Sequence, residues 1–131
     1  MQISNSMTPN PTCVSPQDTL ERANELMKAG RFRRLPVVEG DKKLVGMISE
    51  RDLRQHLGYL AQTRVHTAMA SSPVSIPESE TVESAAKLML QHKVGGLPVI
   101  NDGRVVGIVT TTDLLKALLN VVQAAGDTLK Q

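Results

Sequence analysis

The sequence has almost no aromatic side chains. Phe32 and Tyr59 are the only two in 131 residues, and tryptophan is absent. Any core must therefore be built from Leu, Val, Ile, Met and Ala, and little surface is left for stacking on nucleobases. There is one cysteine, Cys13, so an intrachain disulfide is excluded. No apolar run reaches the length of a membrane span. Residues 1–12 are polar and lack the charged start and apolar stretch of a signal peptide. A cytoplasmic protein is the simplest expectation. The formal net charge of +2 is too small to predict a polyanionic partner. The small excess lies early: residues 1–58 hold nine Lys or Arg against seven Asp or Glu, and residues 59–131 hold six of each.

The usual signatures of catalysis are missing too. No phosphate loop of the Walker type, no nucleophile–base pair and no metal-ligand cluster can be read from the sequence. His56 and His92 fall on expected helices and His66 in a linker, all read as surface positions. An enzyme is not expected, nor a required cofactor or metal. Nucleic acid is not an expected partner, because no known reader motif accompanies the basic first half.

What the chain does contain is a duplication. Met7-Thr8-Pro9-Asn10-Pro11 recurs as Met69-Ala70-Ser71-Ser72-Pro73, and Leu35-Pro36-Val37-Val38 recurs as Leu97-Pro98-Val99-Ile100. Gly46-Met47-Ile48-Ser49-Glu50-Arg51-Asp52 recurs as Gly107-Ile108-Val109-Thr110-Thr111-Thr112-Asp113. The first two pairs are 62 residues apart and the third 61, so the first copy carries one extra residue. A period of this size marks a duplicated structural unit. A unit of about 60 residues is marginal alone, and two packed together are safer.

Both copies parse into one order of elements. Thr12-Cys13-Val14 and Val74-Ser75-Ile76 read as short extended segments. Thr19 and Thr81 read as helix N-caps with Glu21 and Glu83 in the first turns. Behind them Leu20, Ala23 and Met27, and Val82, Ala85 and Met89, recur at helical spacing. Gly30 is expected to close the first helix. Two strands follow, Leu35–Val38 and Leu44–Ser49, then Leu97–Ile100 and Val105–Thr110, each pair joined by a short turn; Asp102-Gly103 is a hairpin signal. A second helix begins near Glu50 and near Thr111. Leu57, Leu60 and Ala61 are expected to extend the first of these, with the linker proper at Thr63–His66. The tail Gly126–Gln131 is expected to fray. The fold class is thus α/β (α+β): two strand–helix–strand–strand–helix repeats, at 7–58 and 69–124, joined by 59–68. The last helix is apolar over most of its surface, through Leu114, Leu115, Leu118, Leu119, Val121 and Val122. It must lie between the repeats or bury its outer face on a second subunit.

At these residues the chain resembles a tandem CBS-domain pair, or Bateman module, from about Met7 to Lys116. The matching features are the short strand after a proline, the Leu-Pro-Val strand, and the Gly-x-x-Ser/Thr-x-x-Asp ending, twice in register. It also resembles acetoin-utilisation-type CBS proteins. The resemblance implies a regulatory module, packed with pseudo-twofold symmetry. Such a module binds an adenosine-containing ligand (AMP, ADP, ATP or S-adenosylmethionine) in the cleft between repeats. It also implies a homodimer; as the sequence shows no effector domain, the signal is expected to be read by an effector protein or by the oligomer itself.

The residues themselves suit such a ligand. A carboxylate at Asp52 or Asp113, one turn into a helix, can accept both hydroxyls of a ribose. Ser49 and Thr110, with the free amides of the first turn, face a place suited to phosphate. Gly46 and Gly107 permit close backbone approach. The resemblance sets adenine against Cys13-Val14 or Ser75-Ile76, and against Leu35-Pro36 or Leu97-Pro98. Arg34 first and Arg33 second are candidates for phosphate, since guanidinium forks match its oxygens; Arg51 and Arg54 rank below them. Plainer roles compete at each place: Ser/Thr-x-x-Asp is also a helix-capping pattern, Val14, Ile76, Leu35 and Leu97 suit a core, and the arginines suit a solvated surface. Where Arg33-Arg34 precede the first Leu-Pro-Val, Gly95-Gly96 precede the second, so two unequal sites are expected. The competing function is a ligand-free assembly module that recruits partners through the last helix.

Overall fold

The structure, a computed structural model, describes residues 1–130 and the side chains of residues 1–127. The first repeat runs β1 (Thr8–Pro9), α1 (Leu20–Gly30), β2 (Arg34–Glu39), β3 (Lys43–Ser49) and α2 (Glu50–Arg54). A short helix α3 (Val65–Ala68) precedes the second. That repeat runs β4 (Ala70–Ser71), β5 (Ile76–Pro77), α4 (Val82–His92), β6 (Gly96–Asn101), β7 (Arg104–Thr110) and α5 (Thr111–Lys130). The expected mixed α+β architecture is present.

Local chemistry sets the ends of the long helices. The Thr19 hydroxyl accepts from the Arg22 amide at 3.1 Å, and the Thr81 hydroxyl accepts from the Ser84 amide at 3.1 Å. Both helices close in a left-handed residue that is not glycine: Arg31 (φ 57°) and Lys93 (φ 54°). Gly30 is the last residue of α1 and serves packing instead, because a Cβ there would overlap the Phe32 ring.

Each repeat has its own aliphatic core, as the scarcity of aromatics requires. Val14, Leu20, Ala23, Met27, Leu35, Val37, Ile48, Leu53 and Val65 form the first. Ile3, Ile76, Ala85, Met89, Leu97, Val99 and Val109 form the second. The hairpins β2–β3 and β6–β7 meet at their tips, where Lys43 pairs with Arg104. There the Leu44 amide donates to the Gly103 carbonyl (3.1 Å) and the Val105 amide to the Lys42 carbonyl (2.9 Å). One sheet in the order β2-β3-β7-β6-β5 results. The extra residue of the first copy lies in its hairpin turn. The second copy turns on Asp102 and Gly103, both at positive φ (53° and 76°), the two-residue geometry that matches strand twist.

The repeats are laced together by exchange of their leading segments. Ile3 is buried in the second core, and its amide donates to the Glu80 carbonyl at 3.0 Å. Val65 is buried in the first core, and its amide donates to the Asp18 carbonyl at 2.8 Å. Likewise Val82 donates to Met1 (3.0 Å) and Leu20 to Thr63 (2.9 Å). β1 pairs with β7 and β4 with β3, so each leading strand joins the other repeat's hairpin.

This lacing corrects three expectations. α2 stops at Arg54; Gly58 (φ 91°) breaks the chain, and Leu60–Gln62 forms a separate 3-10 turn. The linker expected at Thr63–His66 is the exchanged segment, ordered by Val65. And α5 continues through Gly126 to Lys130 rather than fraying; Gln131 lies outside the described residues.

Candidate functional site

Two cavities open between the repeats, each assembled across them. The first, about 610 Å³, sets Ser49, Glu50, Arg51, Asp52 and Arg54 of the first repeat against Ala70–Val74, Gly95, Gly96 and Pro98 of the second. The second, about 450 Å³, sets Asn10–Thr12 and Arg31–Pro36 of the first repeat against Thr110–Thr112 of the second. Both volumes fall in the range of small-molecule sites. The arrangement is the lacing seen from inside: a leading segment lies across the partner hairpin, and the pocket forms beneath it. Asn10 and Ser72 both adopt the left-handed region (φ 48° and 49°) immediately before a proline, turning the segment out of the sheet.

The capping pattern is realised in both copies. The Ser49 amide and hydroxyl donate to Asp52 Oδ2 at 2.9 and 3.0 Å, and the Asp52 amide donates to Ser49 Oγ at 3.4 Å. Thr110 and Asp113 repeat this at 2.8, 3.1 and 3.4 Å. An aspartate is thus long enough to close the reciprocal cap. Only Oδ2 is spent; Oδ1 takes no protein hydrogen bond among the described residues, so capping and binding are compatible. Asp52 lies on the wall of the first cavity, whereas in the second Thr110 lies on the wall and Asp113 does not.

Arg34 lies on the wall of both cavities. Its Nη1 donates to the Gly95 carbonyl at 3.1 Å, and its stem crosses Gly96. A Cβ on Gly95 would come within 2.9 Å of Arg34 Nη2, and one on Gly96 within 2.7 Å of Arg34 Cδ. The two sequences that differ most between the copies are therefore in contact, the large side chain filling the room the glycines leave. Burial, then the like charge of Arg33, holds the Arg34 guanidinium below its ordinary pKa, with Glu50 opposing. Among the described residues no ion pair involves Arg34, so this half-buried cation has a neutral carbonyl as its partner.

The remaining site residues divide. Arg33, Leu35, Pro36, Ser49, Pro98 and Thr110 line a cavity. Gly46 and Gly107 do not: each lies under a methionine, Met69 and Met7 respectively, and a Cβ on either would come within 3.0 Å of a carbonyl, of Ala70 or Thr8. Their lack of a side chain admits the exchanged strand. Val14, Ile76 and Leu97 are core. Cys13 and Ser75 lie off both walls; the Cys13 thiol donates to the Pro11 carbonyl at 3.3 Å, and burial raises its pKa. The walls begin earlier in the chain than expected, at Asn10–Thr12 and Ala70–Val74. Sequence patterns assign no role to these or to Arg31, place His92 at the surface, and rank Arg51 and Arg54 below Arg33 and Arg34. The prolines at 11 and 73 were the available signal.

Comparison with known proteins places this architecture. The sequence profile of the CBS domain matches residues 2–59 and 65–120. The chain belongs to the CBS domain family, as a tandem pair. It is 39% identical over 119 residues to a CBS domain-containing protein of Dictyostelium discoideum, covering 80% of this chain and 82% of that one. Among solved structures, AcuB of Vibrio cholerae superposes with a TM-score of 0.86 at 28% identity, over 97% of this chain and 96% of that one. CBSX2, solved in complex with AMP, gives 0.81 at 29% identity over 92% and 97%. The CBS domain pair of protein MJ0100, in complex with 5′-methylthioadenosine and S-adenosyl-L-methionine, gives 0.83 at 25% identity over 90% and 99%. Among the described residues no helix is long and apolar enough to cross a membrane.

Proposed function

We propose that this chain is a regulatory module that takes an adenosine-containing ligand in the cleft between its repeats. It passes the signal to an effector protein through repacking of repeats or subunits. The repeats are 7–58 and 69–124, with 59–68 between them. The observation that carries this reading is the pair of cavities, each joining one repeat's Ser/Thr-x-x-Asp turn to the other's leading segment. The similar pairs crystallised with AMP and with S-adenosyl-L-methionine support it. Asp52 Oδ1 is open to a ribose, and Pro98 with Val74 offers adenine an apolar slot. Arg33, Arg34, Arg51 and Arg54, against Glu50 and Asp52, leave the first pocket a net positive wall, which suits the phosphate of an AMP-type ligand. Signalling requires the ligand to bind one arrangement better than another.

Calorimetry with AMP, ADP, ATP and S-adenosylmethionine tests the reading. Binding tighter than about 1 mM is expected for at least one of them. No heat from any of the four sinks it. A second reading has its own observation: Leu115, Leu118, Leu119, Val121 and Val122 of α5 are all more than half exposed. A homodimer through this face fits the regulatory reading, and an assembly module without ligand fits the alternative. Leu118→Glu with Leu119→Glu, followed by sedimentation, separates a dimer from a monomer. A dimer that forms through α5 and takes none of the four ligands supports the alternative.

A further inference from the structure

We propose that Arg34 couples the two pockets, so that a phosphate held in the first weakens phosphate binding in the second. The inference rests on the adenosine-ligand reading above and asks what one residue does in both sites. Arg34 is half-buried, lines both cavities, and sits against Gly95 and Gly96 with Nη1 on the Gly95 carbonyl. The two glycines leave the room for this seat, since a Cβ on either would come within 3.0 Å of the arginine. A guanidinium fork engages one phosphate in bidentate fashion, and committing it to one pocket turns it from the other.

The unshared charges differ between the pockets. Arg51 and Arg54 belong to the first cavity alone, and so do Glu50 and Asp52. The second has only Arg31 unshared, since Arg33 and Arg34 line both. At the places matching Arg51 and Arg54 the second repeat carries Thr112 and Leu115. A phosphorylated ligand in the first pocket draws Arg34 with it. The second pocket is then left with Arg31 and Arg33 and holds phosphate less well, while an adenosine compound without phosphate is unaffected. Linkage makes the coupling reciprocal: a phosphate forced into the second pocket weakens the first by the same factor.

Calorimetry of AMP and of adenosine on the full chain tests this. The first pocket is blocked by Asp52→Ala and, in case that variant folds poorly, independently by Ser71→Trp at its exposed rim. Blocking is expected to tighten AMP at the second pocket by about fivefold or more, the lower end of ordinary coupling. Adenosine affinity there is expected to stay unchanged. In an Arg34→Ala background, blocking is expected to leave AMP affinity at the second pocket unchanged. A wild-type chain that takes a single AMP and, once blocked, takes one in the second pocket is the limit of strong coupling. The proposal is overturned if AMP binds the second pocket equally well with the first pocket filled or blocked. It is overturned too if the blocked protein binds no AMP, whether or not adenosine still binds. If wild-type protein binds neither ligand, the adenosine reading itself falls, and the coupling with it.

Discussion

The two repeats share the caps and close approaches that hold the fold and differ where a ligand would be read. Thr19 and Thr81 cap alike, Asp52 and Asp113 close the same reciprocal cap, and a methionine lies over Gly46 as over Gly107. Against this, Arg34 faces Gly96, and Arg54 is matched by Leu115. The first difference is imposed by symmetry. Near a pseudo-twofold axis, equivalent positions approach one another. Two arginines there would crowd and repel, and two glycines would leave a void. One large and one small residue solve the packing and at the same time make the sites unequal.

The strongest way to break this comparison is to remove equivalent core side chains. Leu35→Ala and Leu97→Ala are each expected to cost about 3 kcal/mol in urea unfolding, since both leucines are buried. A large inequality would mean that one repeat carries the other. Next is Gly96→Ala, expected to cost about 2 kcal/mol by overpacking against Arg34 and to be rescued by Arg34→Ala in a double-mutant cycle. Asp52→Ala and Asp113→Ala are each expected to cost about 1 kcal/mol through the lost cap. Their effects on AMP binding, followed by calorimetry, are expected to be unequal, with the Asp52 variant the weaker binder. Equal stability losses with unchanged affinity would reduce both carboxylates to caps. Arg54→Leu makes the first wall resemble the second; it is expected to weaken AMP binding by about tenfold with stability unchanged. The smallest effect concerns Cys13. Burial lifts its pKa and so disfavours the thiolate, and slow labelling by a thiol reagent is expected at neutral pH, rising only in alkali. Fast labelling at pH 7 would show that the leading segment opens.

Much of the fold was legible because it rests on local signals. Period 3.6 in α1 and α4, threonine caps and the Asp102-Gly103 turn are written in consecutive residues. The exchange of leading segments was not, since nothing local says whether Ile3 joins the nearer core or the farther one. The site shows the same split. Ser49, Asp52 and Arg34 stood out by motif and by contrast between copies. A glycine such as Gly46 or Gly107 reports only that something comes close, and here a methionine and a carbonyl do. Cys13, Val14, Ser75 and Ile76 lie just past the two cavity walls, which begin at the left-handed turns of Asn10 and Ser72, a conformation that the following prolines alone do not announce.

The crossing of the leading segments has a consequence for what counts as a unit. Neither half possesses all of its own interior: each lends the other one fully buried aliphatic residue, Ile3 or Val65, and a two-residue strand. A chain cut in the exposed stretch near Gly58 would give two fragments, each with an uncovered groove shaped for the other. Such pieces are built for complementation rather than autonomy, and an intact chain is their tethered form. Duplication here has produced mutual dependence: a single cooperative body whose dividing line in sequence is not a dividing line in space.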